Sequence, residues 1–332
     1  MKVMKMSSLF NELRNKMKHY SCKIVFPEGA DERILSAAVR LHNEGIISPV
    51  LLGEEGSIHE VATNLGLNIE GIEIMNPQVS ELLEQMIPLF VAKRKGKVNE
   101  EEARGTLLDT NYFGTMLVEM NVVQGLVSGA IHSTADTVRP ALQIIKTKPG
   151  ITKTSGVIIL INEQLRYVFA DCAININPNC EELAEIGIET ARTALTFGIE
   201  PRLAMLSFSS HGSAKTDETI KVSKATAMIR ERMPHFVVDG EIQLDAAIVP
   251  TVSQLKTPNS PLKGNANVFV FPNLDAGNIG YKMAQRLGGL EAVGPILQGL
   301  NKPINDLSRG CSVDEVYGVA LITAWQGMHV LR

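Results

Sequence analysis

The sequence predicts an α/β protein with two domains and mainly parallel sheets. Short apolar runs of strand type alternate with segments of helical periodicity, which is the pattern of β-α units. A length of 332 residues corresponds to about two domains at ~150 residues each. Hydrophobic residues make up 45% of the chain but aromatic residues only 5%, so the core must be mainly aliphatic. Aliphatic cores of this kind are common in layered α/β proteins.

The N-terminal half supplies the first set of elements. The spacing of Leu9, Phe10, Leu13 and Met17 predicts an amphipathic helix within the segment Met1 to Tyr20. Strands are predicted at Lys23–Phe26, Ser48–Leu52 and Val122–Gly129. Helices are predicted at Glu32–His42, Val61–Leu65, Met86–Lys95, Glu100–Leu108 and Thr134–Thr147.

A polar segment at 146–155 interrupts this alternation. It contains a Pro-Gly pair, which predicts a crossing between domains. Beyond it, strands are predicted at Gly156–Ile161, Tyr167–Ala170, Arg202–Phe208, Ala246–Ile248 and Val268–Phe271. Helices are predicted at Glu181–Phe197, Thr219–Arg232 and Gly280–Leu287.

The last segment has the pattern of one further strand, loop and helix. We predict a strand at Pro295–Leu300, a polar loop at Asn301–Arg309 and a helix at Val313–Gln326. Such a unit can return to the first sheet. We therefore expect a discontinuous first domain, residues 1–150 plus 298–332, and a second domain at 151–297.

Charge and cysteine content exclude several classes of protein. The chain has 32 Lys and Arg against 36 Asp and Glu, a net charge of -4, which argues against a general nucleic-acid or anionic-membrane binder. No apolar run of spanning length and no signal peptide is evident. The four cysteines are far apart and form no metal or disulfide motif, which favours reduced thiols in a cytoplasmic protein.

A first candidate cluster runs from Ser128 to Arg139, where a strand leads through a hydroxyl-rich turn into a helix. Free N–H groups at a helix start attract anions, and the hydroxyls of Ser133 and Thr134 add donors. Arg139 follows about one and a half turns later. The structural alternative is a capped helix with a surface arginine. His132 is expected to be structural rather than catalytic.

A second candidate cluster, Asn305 to Glu315, places Ser308 and Arg309 in a glycine-containing loop before a helix. An arginine beside a hydroxyl can bind an oxyanion or a phosphate. A carboxylate further along can accept a proton. Ser312 and Glu315 are also spaced as a capping box, in which Glu315 bonds back to its cap. From spacing alone the two roles stay open.

A third cluster is the basic run around Lys93 and Arg94, in which four of five residues are cationic. Such a run can hold the phosphates of a nucleotide-like ligand, but it is equally typical of a solvated helix end. Cys311 lies near Arg309, yet most thiols of this kind are inert, so a nucleophilic role is not favoured.

Long stretches of this chain resemble the phosphate acetyltransferase (phosphotransacetylase) family in its short, single-module form. The matching stretches include VFPEGADERILSAA, YFGTMLVEM, GLVSGAIHSTADTVRPALQIIKT, FADCAINI, MLSFSSHGSAKTDE, NVFVFPNLDAGNIGYKMAQRLGG and GPILQGLNKPINDLSRG. They cover the chain from about residue 23 to its end. The resemblance implies two domains of the isocitrate/isopropylmalate dehydrogenase type, an active site in the cleft between them, and a homodimer.

The same resemblance implies a reaction: acetyl-CoA and phosphate are converted reversibly into CoA and acetyl phosphate. CoA would be a substrate, so no bound cofactor and no metal is implied. A carboxylate would take the proton of the CoA thiol, Ser308 would stabilise the oxyanion or the thiol, and Arg309 would hold the phosphoryl group. Arg139 would be a second anion ligand, with Ser128, Ser133 and Thr134 in the same motif.

Two family positions are ambiguous in this chain. The family base is an aspartate seven residues after the serine, a position occupied here by Glu315 and preceded by Asp314. We favour Glu315, because Asp314 would point about 100° away on a helix. A further family arginine falls at Lys93 or Arg94, of which only Arg94 carries a guanidinium.

Three other functions remain as alternatives. A butyryl-transferring relative would differ in the width of the acyl pocket. A dehydrogenase on the related fold would need a nicotinamide site. A catalytically silent CoA-binding module would be consistent with the glutamate at 315.

Overall fold

The computed structural model describes residues 8–18, 20–162 and 165–330. The chain divides into two compact units. Unit 1 comprises Met1–Lys148 with Leu300–Arg332, and unit 2 comprises Pro149–Gly299. The chain thus passes between the units once inside the polar segment 146–155 and again between Gly299 and Leu300. The predicted strand Pro295–Leu300 therefore does not return to the first sheet, since its residues up to Gln298 belong to a strand of unit 2, and only the loop and helix that follow it lie in unit 1.

Unit 1 contains a five-stranded parallel sheet. Its strands are β1 (Lys23–Phe26), β2 (Ser48–Leu52), β3 (Glu73–Met75), β4 (Gly125–Ser128) and β11 (Ile304–Asp306). Their order across the sheet is β11-β4-β1-β2-β3, so the C-terminal strand is an edge strand beside β4. The strands β1, β2 and β4 are mostly buried on both faces, as expected for apolar runs in a helix-covered parallel sheet, whereas the edge strand β3 is only partly buried.

The helices of unit 1 follow from caps and apolar faces. Asp31 caps α2 by accepting the N–H groups of Arg33 and Ile34, and the α2 face with Ile34, Leu35 and Ala38 is buried. The helices are α1 (Ser8–Met17), α2 (Glu32–Asn43), α3 (Glu55–Leu65), α4 (Leu82–Arg94), α5 (Glu100–Leu107), α6 (Thr110–Glu119), α7 (Thr134–Pro140, continued by a π-helical turn, Ala141–Ile145) and α13 (Val313–Val330).

The predicted N-terminal amphipathic helix is confirmed as α1. All four of its spacing residues, Leu9, Phe10, Leu13 and Met17, are buried. The parts of the predicted segment at residues 1–7 and 19 lie outside the described residues.

Unit 2 contains a six-stranded mixed sheet in the order β10-β5-β6-β9-β7-β8. Its strands are β5 (Ser155–Ile161), β6 (Arg166–Ala170), β7 (Arg202–Leu206), β8 (Val237–Ile242), β9 (Val268–Val270) and β10 (Glu291–Gln298). Two pairs, β10-β5 and β5-β6, are antiparallel and the other three are parallel. The helices are α8 (Cys180–Thr196), α9 (Asp217–Arg232), α10 (Leu244–Ile248), α11 (Pro250–Lys256) and α12 (Leu274–Arg286). The predicted α/β class with mainly parallel sheets is confirmed.

Two element predictions are wrong. The apolar run Ala246–Ile248 is helical, within α10, because three apolar residues do not distinguish a buried strand from a buried helical turn. The segment Asn301–Arg309 is not wholly a polar loop, since Ile304–Asp306 forms β11. Asn305 is buried in that strand, and its amide is satisfied there because it donates hydrogen bonds to Thr323 and Gln326 of α13. The elements β3, β8, α6 and α11 were not predicted.

No helix in the described part of the chain is long and apolar enough to cross a membrane. Within the same residues, no group of three or more His, Cys, Asp and Glu side chains is arranged to hold a metal ion. All four cysteines are free thiols.

Candidate active site

Three loops meet at the carboxyl edge of the unit 1 sheet, because β11, β4 and β1 are neighbours. They are the turn 27–31 after β1, the loop 129–133 after β4 and the loop 307–312 after β11. Ligands of open α/β sheets bind outside the carboxyl ends of the strands. The first and second sequence clusters therefore lie on adjacent loops at the edge where a site is expected.

The loop after β4 is held by Glu28, whose side chain is fully buried. The Glu28 carboxylate accepts the N–H groups of Gly129, Ala130, Ile131 and His132 at 2.8–3.0 Å. It also lies 2.8 Å from Nδ1 of His132. These four amides precede the start of α7, where the sequence predicts anion binding, and they are not free for a substrate anion because a carboxylate of the protein already binds them.

This environment sets the charge of both partners. Burial by itself would raise the pKa of Glu28, but the hydrogen bonds from His132 and the loop amides outweigh it and lower the pKa below its usual value. The hydrogen bond to Glu28 raises the pKa of His132. His132 is therefore held by a hydrogen bond to Glu28 that favours the protonated imidazole, in line with the structural role expected for it.

The hydroxyls of the same cluster are also engaged or buried. Ser133 caps α7 in a reciprocal capping box with Asp136, the structural alternative recognised from the sequence. Thr134 Oγ1 donates to Asp306 Oδ2 at 2.6 Å. Ser128 is 0% exposed, so in this conformation its hydroxyl has no access to a dissolved substrate. Of this cluster, Arg139 is exposed and forms no hydrogen bond or ion pair with another described residue.

Asp306 at the end of β11 is a buried carboxyl that the sequence analysis did not single out. Burial raises its pKa to about 6, and the charge of Glu28 acts in the same direction, while Thr134 and Thr137 oppose it. Asp306 Oδ1 and Ser128 Oγ are both buried without a hydrogen-bond partner in the described residues. The two residues are register partners in the β11-β4 pair.

The loop after β11 presents its side chains to solvent. Ser308 and Arg309 are exposed. Ser308 Oγ accepts the N–H of Gly310 at 3.3 Å, while the Arg309 guanidinium has no hydrogen-bond or ion-pair partner in the described chain. A hydroxyl and an unpaired guanidinium on adjacent residues are groups that can bind an oxyanion or a phosphate.

Both candidate bases lie in the first turn of α13 and both have partners. Glu315 Oε2 accepts the Ser312 N–H at 2.7 Å and Ser312 Oγ accepts the Glu315 N–H at 3.2 Å, so the capping box is formed. Asp314 pairs with Arg40 at 2.8 Å. Burial raises the pKa of the Cys311 thiol to about 11; the charge of Arg33 opposes this rise and the charge of Glu315 adds to it.

The basic run at the end of α4 separates into two environments. Lys93 forms an ion pair with Glu119 at 2.6 Å. Arg94 is half-buried, and its Nε has no partner among the described residues. Burial raises the pKa of Tyr112, and the charges of Arg139 and Arg94 act against that rise. The charges of Arg94 and Arg139 therefore both act on the same phenol, whereas Lys93 is occupied by Glu119.

An unpaired guanidinium, a hydroxyl and a carboxylate at one edge of an α/β sheet are compatible with a transferase of anionic acyl substrates. The comparisons with known proteins agree with this class. The sequence model described as "Phosphate acetyl/butaryl transferase" matches residues 8–324. The chain therefore belongs to that family, and the prediction of an acyltransferase is confirmed.

Individual relatives narrow the family. A phosphate acetyltransferase of Bacillus subtilis (strain 168) is 58% identical over 323 residues, covering 97% of this chain and 100% of that protein. A phosphotransacetylase structure from Streptococcus pyogenes has a TM-score of 0.94 at 54% identity, covering 98% of this chain and 100% of that one. These relatives support the predicted phosphate acetyltransferase function.

A more distant structure relates the fold to dehydrogenases. A putative 4-hydroxythreonine-4-phosphate dehydrogenase from Salmonella typhimurium has a TM-score of 0.55 at 14% identity, covering 93% of this chain and 100% of that one. At this identity the likeness concerns the fold alone, and it agrees with the dehydrogenase-like architecture expected from the sequence.

Proposed function

We propose that this chain transfers an acetyl group reversibly between CoA and phosphate, with the loop after β11 as its chemical centre. The observation that carries the proposal is the exposed pair Ser308 and Arg309, whose guanidinium lacks a partner in the described chain, in the loop that ends at Ser312, whose N–H donates to the Glu315 carboxylate. The full-length relatives named phosphate acetyltransferase support the choice of acetyl over butyryl transfer.

In the proposed reaction Glu315 accepts the proton of the CoA thiol. The thiolate attacks the carbonyl carbon of acetyl phosphate, a C–S bond forms, and the carbonyl oxygen becomes an oxyanion stabilised by Ser308. The C–O bond to phosphate then breaks and phosphate leaves with the electron pair, held by Arg309 as an oxyanion. The proton on Glu315 passes to solvent, and the reverse reaction follows the same steps.

Glu315 can serve this role while it caps α13. The capping bond uses Oε2, which accepts the Ser312 N–H, so the second carboxylate oxygen is available for a proton. Asp314, by contrast, is held by Arg40, which itself lies over the Tyr317 ring at 4.0 Å. The ion pair directs Asp314 toward α2 and supports Glu315 as the base.

A second pair of cations supports binding of the rest of the substrates. Arg139 and Arg94 both act on Tyr112, and neither forms an ion pair in the described structure. We assign them to the anionic groups of CoA or acetyl phosphate, and we assign Thr134 and Ser133 to holding the helix that carries Arg139. CoA enters as a substrate, and the proposal involves neither a resident cofactor nor a metal.

The proposed protein is a cytoplasmic homodimer. Four free thiols among the described residues support a reducing compartment. Ile279, Met283 and Leu287 lie four residues apart along one side of α12 and its end and are 57%, 54% and 80% exposed, which supports a protein interface there. Light scattering should give twice the chain mass for the wild type and the single mass for Met283→Glu; an unchanged mass for the variant would move the interface elsewhere.

The function itself is tested by thioester formation from CoA and acetyl phosphate in the presence of a chelator. We expect turnover that is faster with acetyl phosphate than with butyryl phosphate. Equal or faster turnover with butyryl phosphate would contradict the acetyl assignment, and CoA binding without turnover would identify a silent binding module. No effect of nicotinamide cofactors on the melting temperature is expected.

A further inference from the structure

Arg33, in the first turn of α2, holds a fixed position after β1. Its Nε and Nη2 donate to the two carboxylate oxygens of Asp31 at 3.0 and 2.8 Å. Asp31 is itself fixed as the cap of α2, because it accepts two backbone N–H groups of that helix. A bidentate pair with a backbone-anchored carboxylate orients the guanidinium plane.

The other side of this guanidinium reaches the two neighbouring loops. Nη2 donates to the carbonyl oxygen of Ala130 at 2.8 Å, in the loop after β4. Nη1 donates to the carbonyl oxygens of Arg309 at 2.7 Å and Cys311 at 3.3 Å, in the loop after β11. One side chain thus joins the segments that follow three adjacent strands.

The loop after β11 depends on this contact. Its own hydrogen bonds are local: the Cys311 N–H donates to the Ser308 carbonyl, and the Gly310 N–H donates to Ser308 Oγ. Leu307 is anchored to Ser128 and Ser312 to Glu315, at the two ends of the loop. Between these anchors, within the described chain, only Arg33 hydrogen-bonds residues 308–311 to the rest of the unit.

We propose that Arg33 is a positioning residue for the acetyl transfer, acting through the main chain of Arg309 and Cys311. The inference rests on the proposed function of Ser308 and Arg309. Donation to the Arg309 carbonyl fixes the backbone from which both side chains project, so their spacing is set before substrate binds. A lysine cannot replace it fully, since a single ammonium lacks the planar fork that reaches Asp31 and both loops together.

A double-mutant cycle on the full chain tests the inference. Wild type, Arg33→Gln, Ser308→Ala and the double variant are assayed for kcat/KM with acetyl phosphate, and folding is checked by circular dichroism and melting temperature. We expect Arg33→Gln to lower kcat/KM by about 100-fold in the wild type. In the Ser308→Ala background, where the positioned hydroxyl is gone, we expect the same change to cost less than about tenfold. Arg33→Lys should lie between Arg33→Gln and wild type.

Failure of the inference and failure of the proposed function give different results in this experiment. Costs that simply multiply would show that Arg33 acts independently of the loop and would overturn the inference, although the function would stand. Absence of wild-type turnover would overturn the function itself. If Arg33→Gln does not fold, the cycle is run with Arg33→Lys, for which coupling supports the inference and strict multiplication contradicts it. Arg104→Gln, which breaks an exposed pair with Glu84, is the matched control and should retain full activity.

Discussion

The loops after β4 and β11 lie at the same edge of one sheet but use their polar groups differently. In the loop after β4, four successive amides bind the buried Glu28 carboxylate and Ser133 caps a helix. In the loop after β11, Ser308 and Arg309 face solvent and the guanidinium has no partner in the described residues. The comparison teaches that an anion-binding sequence pattern can be satisfied by the protein itself.

The two buried carboxyls of this edge differ in the same sense. Glu28 receives several donors and its pKa is lowered, whereas Asp306 is buried with few donors and its pKa is raised to about 6. Unit 2 repeats the Glu28 arrangement: Asp171 accepts the N–H groups of Gly156, Ala173, Ile174 and Asn175. We interpret these multiply bonded carboxylates as groups that fix the loops, and the exposed Ser308 and Arg309 as the groups that act on the substrate.

The largest expected effect belongs to Arg309. Arg309→Gln should lower kcat/KM for acetyl phosphate by about 1,000-fold, because the phosphoryl group loses its charged donor. The melting temperature should change little, since the guanidinium forms no hydrogen bond or ion pair with another described residue. Arg309→Lys keeps the charge without the fork and should recover part of the activity. Near-wild-type turnover in Arg309→Gln would place the phosphoryl site elsewhere.

Glu315 gives the next largest effect, and the capping box supplies its control. Glu315→Gln should lower kcat about 100-fold by removing the base, while the amide oxygen can still accept the Ser312 N–H. Ser312→Ala should weaken the cap with a smaller loss of activity. Asp314→Asn should cost only a few-fold, through its pair with Arg40. Steady-state kinetics measure these losses. A larger loss of kcat in Asp314→Asn than in Glu315→Gln would assign the base to Asp314.

Glu28 should affect stability rather than chemistry. Glu28→Gln should lower the free energy of unfolding by about 3 kcal/mol, because several buried N–H donors lose their carboxylate acceptor. Since the folded pKa is lowered, this stabilisation is present above the ordinary value of 4.5 and is lost as the pH falls through the folded pKa. Urea unfolding at pH 7 and pH 4 measures both effects. The exposed cap in Glu54→Gln is the matched control, with a much smaller loss expected.

Asp306 should show the opposite pH dependence. Its folded pKa of about 6 lies above the ordinary value of 3.8, so the folded state binds the proton more tightly and stability falls as the pH rises between these values. Asp306→Asn should remove this slope. The free energy of unfolding of the variant, relative to that of the wild type, should therefore increase by about 3 kcal/mol between pH 3 and pH 7. Parallel unfolding curves for the two proteins across this range would show that Asp306 titrates normally.

Local sequence signals predicted much of this structure. The apolar runs of β1 and β2 agree with the observed strands, and the Ser312–Glu315 spacing predicted the capping box that forms. The three-residue run Ala246–Ile248 was too short to separate helix from strand. Asn305 and Asp306 hid β11, because polar residues in a short edge strand remove the apolar pattern on which strand prediction depends.

The residues that support the site, Glu28 and Arg33, could not be predicted from local sequence patterns. Glu28 bonds amides 101–104 residues away, and Arg33 reaches a carbonyl 276 residues away. No local spacing encodes such contacts, so the roles of Glu28 and Arg33 could not be predicted from the sequence. Ser308 and Arg309, in the loop after β11, could be predicted as candidate site residues because they belong to one contiguous motif.

Amide hydrogen exchange with and without acetyl phosphate tests the contrast between the two loops most directly. We expect acetyl phosphate to slow exchange in the loop 308–312, where Ser308, Arg309 and Gly310 are exposed and Cys311 is buried. We expect no change in the amides 129–132, which Glu28 protects in both states. New protection at 129–132 with no change at 308–312 would contradict the account, because it would mean that substrate displaces Glu28 and binds at the loop after β4.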